Sequence, residues 1–271
     1  MLIDILIALA VVGGVGLVAA IFLALFSHFF AVEQDEREKN IRTALPGANC
    51  GACGYKGCDD YAASVASGEA APNLCIPGGA AVAASLGEIM GVEASAAASN
   101  VAFVHCNGNC NATSKKMIYD GVQSCRAAAS VYGGPNACNY GCMGLGDCAA
   151  VCPANAICIE DGIAHVDSRL CVGCGLCVNT CPKNIISLVP QETKTAVMCN
   201  SKDKGANARK LCQNSCIGCK KCEKACPENA ISVVNNLAKI DYSKCTGCGV
   251  CVEGCPTGCL KAVLLPAMVN E

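Results

Sequence analysis

Large aromatic side chains are scarce in this sequence of 271 residues, which has no tryptophan, five phenylalanines and six tyrosines. Charged residues are also few, at 15%, where ordinary soluble domains carry about 25%. Something other than bulky side chains must therefore fill the interior. The 53% apolar content excludes a disordered chain, and the net charge of −2 argues against a nucleic-acid partner.

Cysteine is present in excess, with 27 copies. A disulfide framework uses an even number of cysteines at scattered positions, whereas 27 is odd and most of these lie three or four residues apart. Such close neighbours make poor disulfide partners and good ligands for a compact metal centre. The spacing therefore favours metal binding over disulfides.

The first 32 residues predict a membrane anchor. Between Ile5 and Val32 there is no Asp, Glu, Lys or Arg, and about 20 apolar residues in a helix are enough to span a bilayer. The alternative is a cleaved signal peptide, but the sequence lacks its basic first segment and its small-residue cleavage site. Basic residues follow the apolar segment and none precedes it. We therefore expect a single-pass protein of the cell (inner) membrane whose remaining chain is cytoplasmic.

A first group of cysteines lies in the segment 33–100. Its spacing is C-x2-C-x4-C-x16-C, and its members are Cys50, Cys53, Cys58 and Cys75. Glycines between them let the backbone turn tightly around a metal. We expect one [4Fe–4S] cluster here, with zinc as the alternative.

Four later runs end in Cys-Pro, and three of them have the full pattern C-x2-C-x2-C-x3-C-P. The complete runs are Cys171/Cys174/Cys177/Cys181, Cys216/Cys219/Cys222/Cys226 and Cys245/Cys248/Cys251/Cys255. In bacterial ferredoxins, three thiolates of such a run bind one [4Fe–4S] cluster and the fourth binds its neighbour. A zinc ribbon fits poorly, because it needs two C-x2-C pairs separated by a spacer.

The first of the four runs is irregular. Its cysteines are Cys138, Cys142, Cys148 and Cys152, which are separated by three, five and three intervening residues. When Cys152 is aligned with Cys226, the difference reads as insertions of one residue and of three, within Met143–Asp147. The first three cysteines of this run are expected to bind a cluster together with Cys181.

The four runs form two pairs with the same internal spacing. Between the runs of each pair, alternating Ile and Val flank a polar turn, Asp161-Gly162 in one pair and Asn235-Asn236 in the other. This pattern predicts a β-hairpin. The sequence therefore predicts an α+β protein with an N-terminal transmembrane helix, a small four-cysteine iron–sulfur domain, and two tandem bacterial-type 2[4Fe–4S] ferredoxin modules, over residues 138–190 and 215–264.

Seven cysteines lie outside these groups: Cys106, Cys110, Cys125, Cys158, Cys199, Cys212 and Cys259. Five [4Fe–4S] clusters are expected. A sixth is a hypothesis that uses Cys106, Cys110 and Cys125 with either Cys199 or Cys212. The alternative is that these cysteines are small buried apolar residues. His105 is expected to be structural, because a Rieske site needs two histidines; Cys259 follows a complete run and is not expected to bind metal.

Two segments connect these parts and a tail follows them. Residues 101–137 form a cysteine-containing connector, 191–214 a basic linker and 265–271 the tail. Between Gln191 and Lys224, eight basic residues accompany three acidic ones, which gives +5 here and −7 over the rest of the chain. A basic surface would attract an acidic electron donor, and a solvated loop without a partner is the alternative.

The order of these parts resembles the B subunit of Rnf complexes, which are membrane-bound, ion-translocating ferredoxin:NAD oxidoreductases. The resemblance covers nearly the whole chain, and it rests on the anchor that ends in FAVEQDE, on the segment CGACGYKGC and on the C-terminal ferredoxin runs. It implies that Cys50, Cys53, Cys58 and Cys75 bind the first cluster and that Cys171, Cys174, Cys177 and Cys181, or their counterparts in the other runs, bind the ferredoxin clusters. Shorter family members have one ferredoxin module, so two modules imply a longer electron route.

The family resemblance also implies a function. Members of this family relay electrons from reduced soluble ferredoxin through [4Fe–4S] clusters to a membrane complex that reduces NAD+ and translocates Na+ or H+. Other membrane and NAD-binding subunits are the implied partners, in agreement with the lack of a G-x-G-x-x-G motif between a strand and a helix. The alternatives are a polyferredoxin subunit of a membrane hydrogenase or formate-oxidising complex, and a zinc-stapled interaction scaffold.

Overall fold

The structure is a computed structural model of the chain and describes residues 2–29, 35–93 and 100–266. The predicted boundary at residues 32 and 33, and residues 267–271 of the predicted tail, lie outside the described residues. The described residues form ten helices and eight strands.

The chain begins with helix α1, Leu2–Phe29. Its described apolar side chains are exposed, as illustrated by Ile3 at 71% and Leu23 at 69%. None of the described residues of α1 belongs to a buried cluster of the protein. Counted over the described residues, no helix is both long enough and apolar enough to cross a membrane.

Three helices build the domain around the first cysteine group. They are α2 Glu36–Ala44, α3 Cys58–Ala66 and α4 Gly79–Met90. Their apolar faces meet at the buried side chains of Ile41, Tyr61, Val65 and Leu86. This small core is independent of the ferredoxin modules.

Tyr61 links the core of this domain to its last cysteine. The Tyr61 hydroxyl donates to the carbonyl oxygen of Ala71, at 2.8 Å, and accepts from the N–H of Leu74, at 3.2 Å. These two bonds hold the segment that follows α3 against α3 itself, which begins at Cys58. Cys75 therefore lies next to the other three thiols of its group.

Each ferredoxin module contains the hairpin that the sequence predicts. The paired strands are β2 Ile157–Glu160 with β3 Ile163–Val166, and β6 Ile231–Val234 with β7 Leu237–Ile240. Both turns have two residues with positive φ: 50° and 77° at Asp161 and Gly162, and 52° and 63° at Asn235 and Asn236. This is the type I′ conformation, whose twist matches that of antiparallel strands. The hairpin prediction is confirmed in both modules.

A second two-stranded sheet extends each module beyond its cysteine runs. The pairs are β1 Asn100–Val104 with β4 Ile186–Pro190, and β5 Thr195–Val197 with β8 Leu260–Ala262. Strands β1 and β5 lie in segments that the sequence assigns to the connector and the basic linker. Both are too short to show a clear alternation of apolar and polar residues, which explains why the pattern does not predict them.

The remaining helices are α5 Cys125–Ser130, α6 Asp147–Ala150, α7 Leu176–Thr180, α8 Gly205–Leu211, α9 Lys221–Ala225 and α10 Val250–Glu253. Four of them, α6, α7, α9 and α10, lie inside the runs and end before the Cys-Pro pair, because the residue before proline disfavours the helical conformation. Among the described residues, Phe103 is the single aromatic side chain that is fully buried in the cores of the modules. Cysteines take much of the remaining core space.

Candidate metal centres

The four cysteines of the first group come together. Burial, together with the nearby thiols of Cys58, Cys50 and Cys53, raises the pKa of Cys75. The N–H of Cys58 donates to the side-chain oxygen of Asn49, at 2.8 Å, which closes the loop that carries the first two thiols. Four converging thiols are the ligand set that one [4Fe–4S] cluster requires.

In the part of the chain that the structure describes, no group of three or more His, Cys, Asp and Glu side chains forms a site for a single metal ion. A four-iron cluster makes a different demand, because each thiolate bonds a separate iron atom. A candidate cluster site is therefore recognised by a cavity that four thiols surround.

Two sets combine one cysteine of the first run in a module with three of the second run. They are Cys152 with Cys171, Cys174 and Cys177, and Cys226 with Cys245, Cys248 and Cys251. Burial and the three partner thiols raise the pKa of Cys177, to about 11, and that of Cys251. The N–H of Ala156 donates to Cys152 Sγ and the N–H of Ala230 to Cys226 Sγ, each at 3.3 Å. These are the groupings that the ferredoxin pattern predicts.

A third ferredoxin set surrounds a cavity in the second module. Cys216, Cys219, Cys222 and Cys255 line this space of about 350 Å³, its open mouth included. Burial and the thiols of Cys216 and Cys219 raise the pKa of Cys222 to about 11. Because Cys219 is exposed, a cluster held here is close to solvent.

The irregular first run is grouped differently from the prediction. Cys142, Cys148 and Cys181 share a cavity of about 330 Å³ with Cys125, and Cys138 does not line it. Burial and the thiols of Cys142, Cys125 and Cys181 raise the pKa of Cys148 to about 12. The structure therefore places Cys125 where the sequence-based grouping has Cys138.

The backbone explains this difference. Cys138, Cys142, Cys148 and Cys152 each lie 74 residues before Cys212, Cys216, Cys222 and Cys226. Without any gap, Leu145 then matches Cys219, and Gly144 matches Gly218, with φ of 69° and 64° respectively. The predicted insertions within Met143–Asp147 are wrong. The first run has Leu145 at the position of a cluster-binding thiol, and Cys125 of another segment takes the place of that thiol.

Asp147 holds Cys125 against the run. Its carboxylate accepts from the N–H of Cys125, at 2.9 Å, from the N–H of Arg126, at 3.0 Å, and from the hydroxyl of Ser124, at 2.9 Å. Partial burial opposes ionisation, but these hydrogen bonds outweigh it and lower the pKa of Asp147. Asp147 therefore caps helix α5 from outside and fixes the thiol at its first residue next to Cys148.

A further cavity is lined by Cys106, Cys138, Cys199 and Cys212, and also by Cys142, which belongs to the set of the first run. It measures about 410 Å³, its open mouth included. The sixth combination that the sequence suggests is not assembled, because Cys110 is exposed and Cys125 belongs to the set of the first run. Cys199 and Cys212, which the sequence offers as alternatives, are both present.

Three cysteines lie outside these sets. Cys110 and Cys158 are exposed and Cys259 is buried. Cys216 and Cys259 both belong to the buried cluster of the second module, and Cys199 packs against it. Interaction with Cys259 lowers the pKa of Cys199 and that of Cys216. Cys259 therefore lies beside one thiol in each of two neighbouring sets.

His105 has a structural position. Its Nδ1 is 2.8 Å from the carbonyl oxygen of Val197, and its Nε2 is 2.7 Å from the hydroxyl oxygen of Ser187. Burial lowers its pKa. Since both ring nitrogens are engaged, His105 ties β5 to β4, as expected for a histidine that does not bind metal.

Three family models match parts of the chain. A model for an Fe-S cluster matches residues 45–77, which contain the first cysteine group. A 4Fe-4S binding domain matches residues 164–187, and a 4Fe-4S dicluster domain matches residues 215–259. The matches agree with iron–sulfur chemistry in the first domain and in both modules.

Several curated proteins are similar over most of the chain. The B subunit of the Na(+)-translocating ferredoxin:NAD(+) oxidoreductase complex of Acetobacterium woodii is 47% identical over 90% of this chain and 74% of its own length. The B subunit of the proton-translocating ferredoxin:NAD(+) oxidoreductase complex of Clostridium ljungdahlii is 44% identical over 84% and 81%. The B subunit of the ion-translocating oxidoreductase complex of Methanosarcina acetivorans is 37% identical over 88% and 90%.

Replacing Asp147 with Ala should loosen the fourth ligand of the first run. The variant leaves two N–H groups and one hydroxyl without their acceptor, at a cost of about 1–3 kcal/mol, so we expect roughly tenfold faster release of about four iron atoms to a chelator. The measurement is the loss of visible absorption of the anaerobic protein over time. The control is Asp120→Ala, at an exposed residue. Equal release rates in the two variants would contradict the placement of Cys125.

Proposed function

The chain belongs to the family of B subunits of ion-translocating ferredoxin:NAD(+) oxidoreductase complexes, and we propose that it is the subunit that conducts electrons through such a complex. Bound [4Fe–4S] clusters supply sites that take up and release single electrons. The thiols of this chain hold these sites in a row between reduced ferredoxin and the partner subunits. Those partners reduce NAD+ and export Na+ or H+, and this chain contributes no catalytic residue.

Five clusters are assigned to five sets of four thiols. The sets are Cys50/Cys53/Cys58/Cys75, Cys125/Cys142/Cys148/Cys181, Cys152/Cys171/Cys174/Cys177, Cys216/Cys219/Cys222/Cys255 and Cys226/Cys245/Cys248/Cys251. Backbone N–H groups that donate to these sulfurs support the assignment, because they stabilise the negative charge of bound thiolates. One example is the bond from the N–H of Ala102 to Cys171 Sγ, at 3.3 Å.

The observation that carries the proposal is that successive sets are neighbours. A methyl group on Gly173, which lies between Cys171 and Cys174, would lie 3.5 Å from the side chain of Ile76, the residue after Cys75. In agreement with this contact, the thiol of Cys50 contributes, after burial, to the raised pKa of Cys174. The first domain therefore adjoins the first module. Within each module the two sets share both cysteine runs, so they are adjacent as well. A row of neighbouring sites is what electron conduction needs, because transfer slows steeply with distance.

We propose that the second module accepts the electrons from ferredoxin. The basic residues around it are Lys194, Lys202, Lys204, Arg209, Lys210, Lys220, Lys221 and Lys224, and all eight are exposed. Lys220 and Lys221 border the cavity of the set that contains the exposed Cys219. A ferredoxin with an acidic surface would be steered to this side of the module.

The backbone at Lys220 supports a role for its charge. Lys220 has a φ of 59°, in the left-handed region that residues other than glycine rarely adopt. The matching positions of the other three runs are Gly146, Gly175 and Gly249, with φ of 85°, 76° and 82°. Glycine adopts this conformation freely, whereas another residue there costs about 1 kcal/mol or more. A lysine at a glycine position places a positive charge directly beside Cys219.

We place the chain at the membrane through residues 1–32. The uncharged segment from Ile5 to Val32 and the exposed apolar side chains of α1 support a single-pass anchor. The basic residues that follow it support a cytoplasmic position for the iron–sulfur domains. This position would also place the first cluster nearest to the membrane subunits.

Sealed membrane vesicles test both the function and the orientation. In inside-out vesicles that contain the whole complex, added reduced ferredoxin should drive the reduction of NAD+, and vesicles without this chain should lose that activity. Right-side-out vesicles should show no activity with added ferredoxin. Ferredoxin-dependent NADH formation in vesicles that lack this chain would contradict the electron-relay function. Activity confined to right-side-out vesicles would contradict the orientation alone.

Charge reversal tests the docking surface. Changing Lys220, Lys221 and Lys224 to Glu should slow the reduction of the chain by ferredoxin at least about tenfold at low salt, mainly through the association rate, and flatten its dependence on salt. Stopped-flow absorbance measures this rate.

The matched control for this experiment changes Lys39, Lys56 and Lys115 to Glu, which alters the net charge equally on exposed residues of other segments. Lys220→Gly removes one charge without demanding an unusual backbone, so it separates a charge effect from a folding effect. Slower reduction of the control, with an unchanged rate for the variant at Lys220, Lys221 and Lys224, would contradict the proposed docking surface and move the donor site to the first domain or the connector.

A further inference from the structure

The cavity lined by Cys106, Cys138, Cys199 and Cys212 lies between equivalent parts of the two ferredoxin modules. Cys106 and Cys199 match each other, since each follows by two residues the strand that opens its module, β1 or β5. Cys138 and Cys212 also match, since each precedes the first cluster-binding thiol of its run by four residues. When each module is counted from its opening strand, β1 or β5, it contributes an equivalent pair of thiols to one shared space.

Backbone contacts between the modules fix the positions of three of these thiols. The N–H of Asn107 donates to the carbonyl oxygen of Met198, at 3.1 Å, which places Cys106 beside Cys199. The side-chain amide of Asn214 donates to the carbonyl oxygen of Asn107, at 2.8 Å, and Thr113 forms an antiparallel bridge with Cys212. The connector is therefore held against the basic linker next to Cys199 and again at Cys212.

Two glycines show how closely the sulfurs approach. A methyl group on Gly108 would lie 3.3 Å from Cys212 Sγ and 3.6 Å from Cys106 Sγ. A methyl group on Gly141 would lie 3.6 Å from Cys138 Sγ and 3.7 Å from Cys106 Sγ. Cys106 Sγ therefore has the sulfurs of Cys138 and Cys212 as neighbours.

Two of the four sulfurs accept a hydrogen bond from the backbone N–H two residues later in the chain. The N–H of Gly108 donates to Cys106 Sγ and that of Ser201 to Cys199 Sγ, each at 3.4 Å. Cys152 and Cys226, which belong to the sets assigned to clusters, also accept a hydrogen bond from a backbone N–H. Backbone donors of this kind would stabilise the negative charge of bound thiolates.

The cavity also contains a hydroxyl without a partner. Ser215 lines the cavity, is 1% exposed, and its Oγ has no hydrogen-bond partner in the structure. A buried hydroxyl without a partner is unfavourable, and a sulfur of a bound cluster would give it an acceptor. The residues that line this cavity include no carboxylate and no imidazole. A donor set of thiolates alone selects iron–sulfur clusters or zinc over hard cations.

We propose that Cys106, Cys138, Cys199 and Cys212 hold a sixth [4Fe–4S] cluster, at a position that links the two ferredoxin modules. On one side, Cys199 packs against the buried cluster of the second module that contains Cys216 and Cys259. On the other side, the N–H of Cys142 in the first module donates to Cys106 Sγ, at 3.3 Å. The role as a link in the electron route rests on the proposed function, whereas the binding of the cluster does not.

Iron analysis of the full chain, purified without exposure to air, tests the site. With four irons per cluster, the native chain should contain about 24 iron atoms and the double variant Cys106→Ala/Cys212→Ala about 20. The control variant Cys110→Ala changes an exposed cysteine outside all six sets and should keep about 24. Zinc is measured in the same samples, and the number of [4Fe–4S] components in the native chain is counted by Mössbauer and EPR spectroscopy.

Each outcome decides the proposal. About 20 irons in the native chain, or no loss of iron in the double variant, would overturn it. One zinc in the native chain that is lost from the double variant would overturn the iron–sulfur assignment in favour of a zinc site. If the double variant loses more than one cluster because it misfolds, the native count alone decides between five and six. A chain with six clusters that takes no electrons from ferredoxin would leave this site intact and contradict the proposed function.

Discussion

The structure depends on one constraint, which is that sets of four thiols must meet from segments far apart in sequence. Leu145 in the first run shows how strict this constraint is. Where the run lacks a thiol, helix α5 supplies Cys125 from twenty residues upstream of that position, and Asp147 fixes it there. Because aromatic side chains are few in the cores of the modules and cysteines are among their buried residues, iron–thiolate bonds would supply part of the cohesion. Folding and cluster binding are therefore expected to be coupled.

The two ferredoxin modules are repeats that also share a boundary. Each has a type I′ hairpin, an outer two-stranded sheet and matching cysteine runs. The segments that precede the runs of each module contain matching thiols as well, such as Cys106 and Cys199, and both line the cavity at the boundary. The proposed connection between the modules therefore uses equivalent positions of the two repeats. Cys259, which is buried in one cluster with Cys216 and against which Cys199 packs, lies at the same boundary.

Much of this arrangement can be read from the sequence, because ligand spacing is local. The runs from Cys171 to Cys181 and from Cys245 to Cys255 indicate their clusters directly, and the Asp161-Gly162 turn indicates its hairpin. The cluster assignments of Cys125 and Cys138 do not follow from local spacing. Cys125 is held through hydrogen bonds to Asp147, and no spacing rule predicts them. The ungapped match of Leu145 with Cys219 is itself a feature of the sequence, and it indicates that the first run lacks one cluster ligand.

The remaining differences have a similar origin. Strands β1 and β5 have five and three residues, and they are defined by pairing with strands that lie far along the chain. The set of Cys106, Cys138, Cys199 and Cys212 is likewise defined by contacts between modules, such as the bond from Asn107 to Met198. Local patterns therefore identify each cluster-binding unit, while tertiary contacts decide how the units are joined.

The most direct test of this account is the distribution of iron in crystals of the anaerobically prepared chain, measured by anomalous scattering at the iron absorption edge. The account predicts six separate iron sites, one inside each set of four thiols, including one between Cys106 and Cys199. Five sites, with iron bonded to Cys138 together with Cys142 and Cys148, would contradict it.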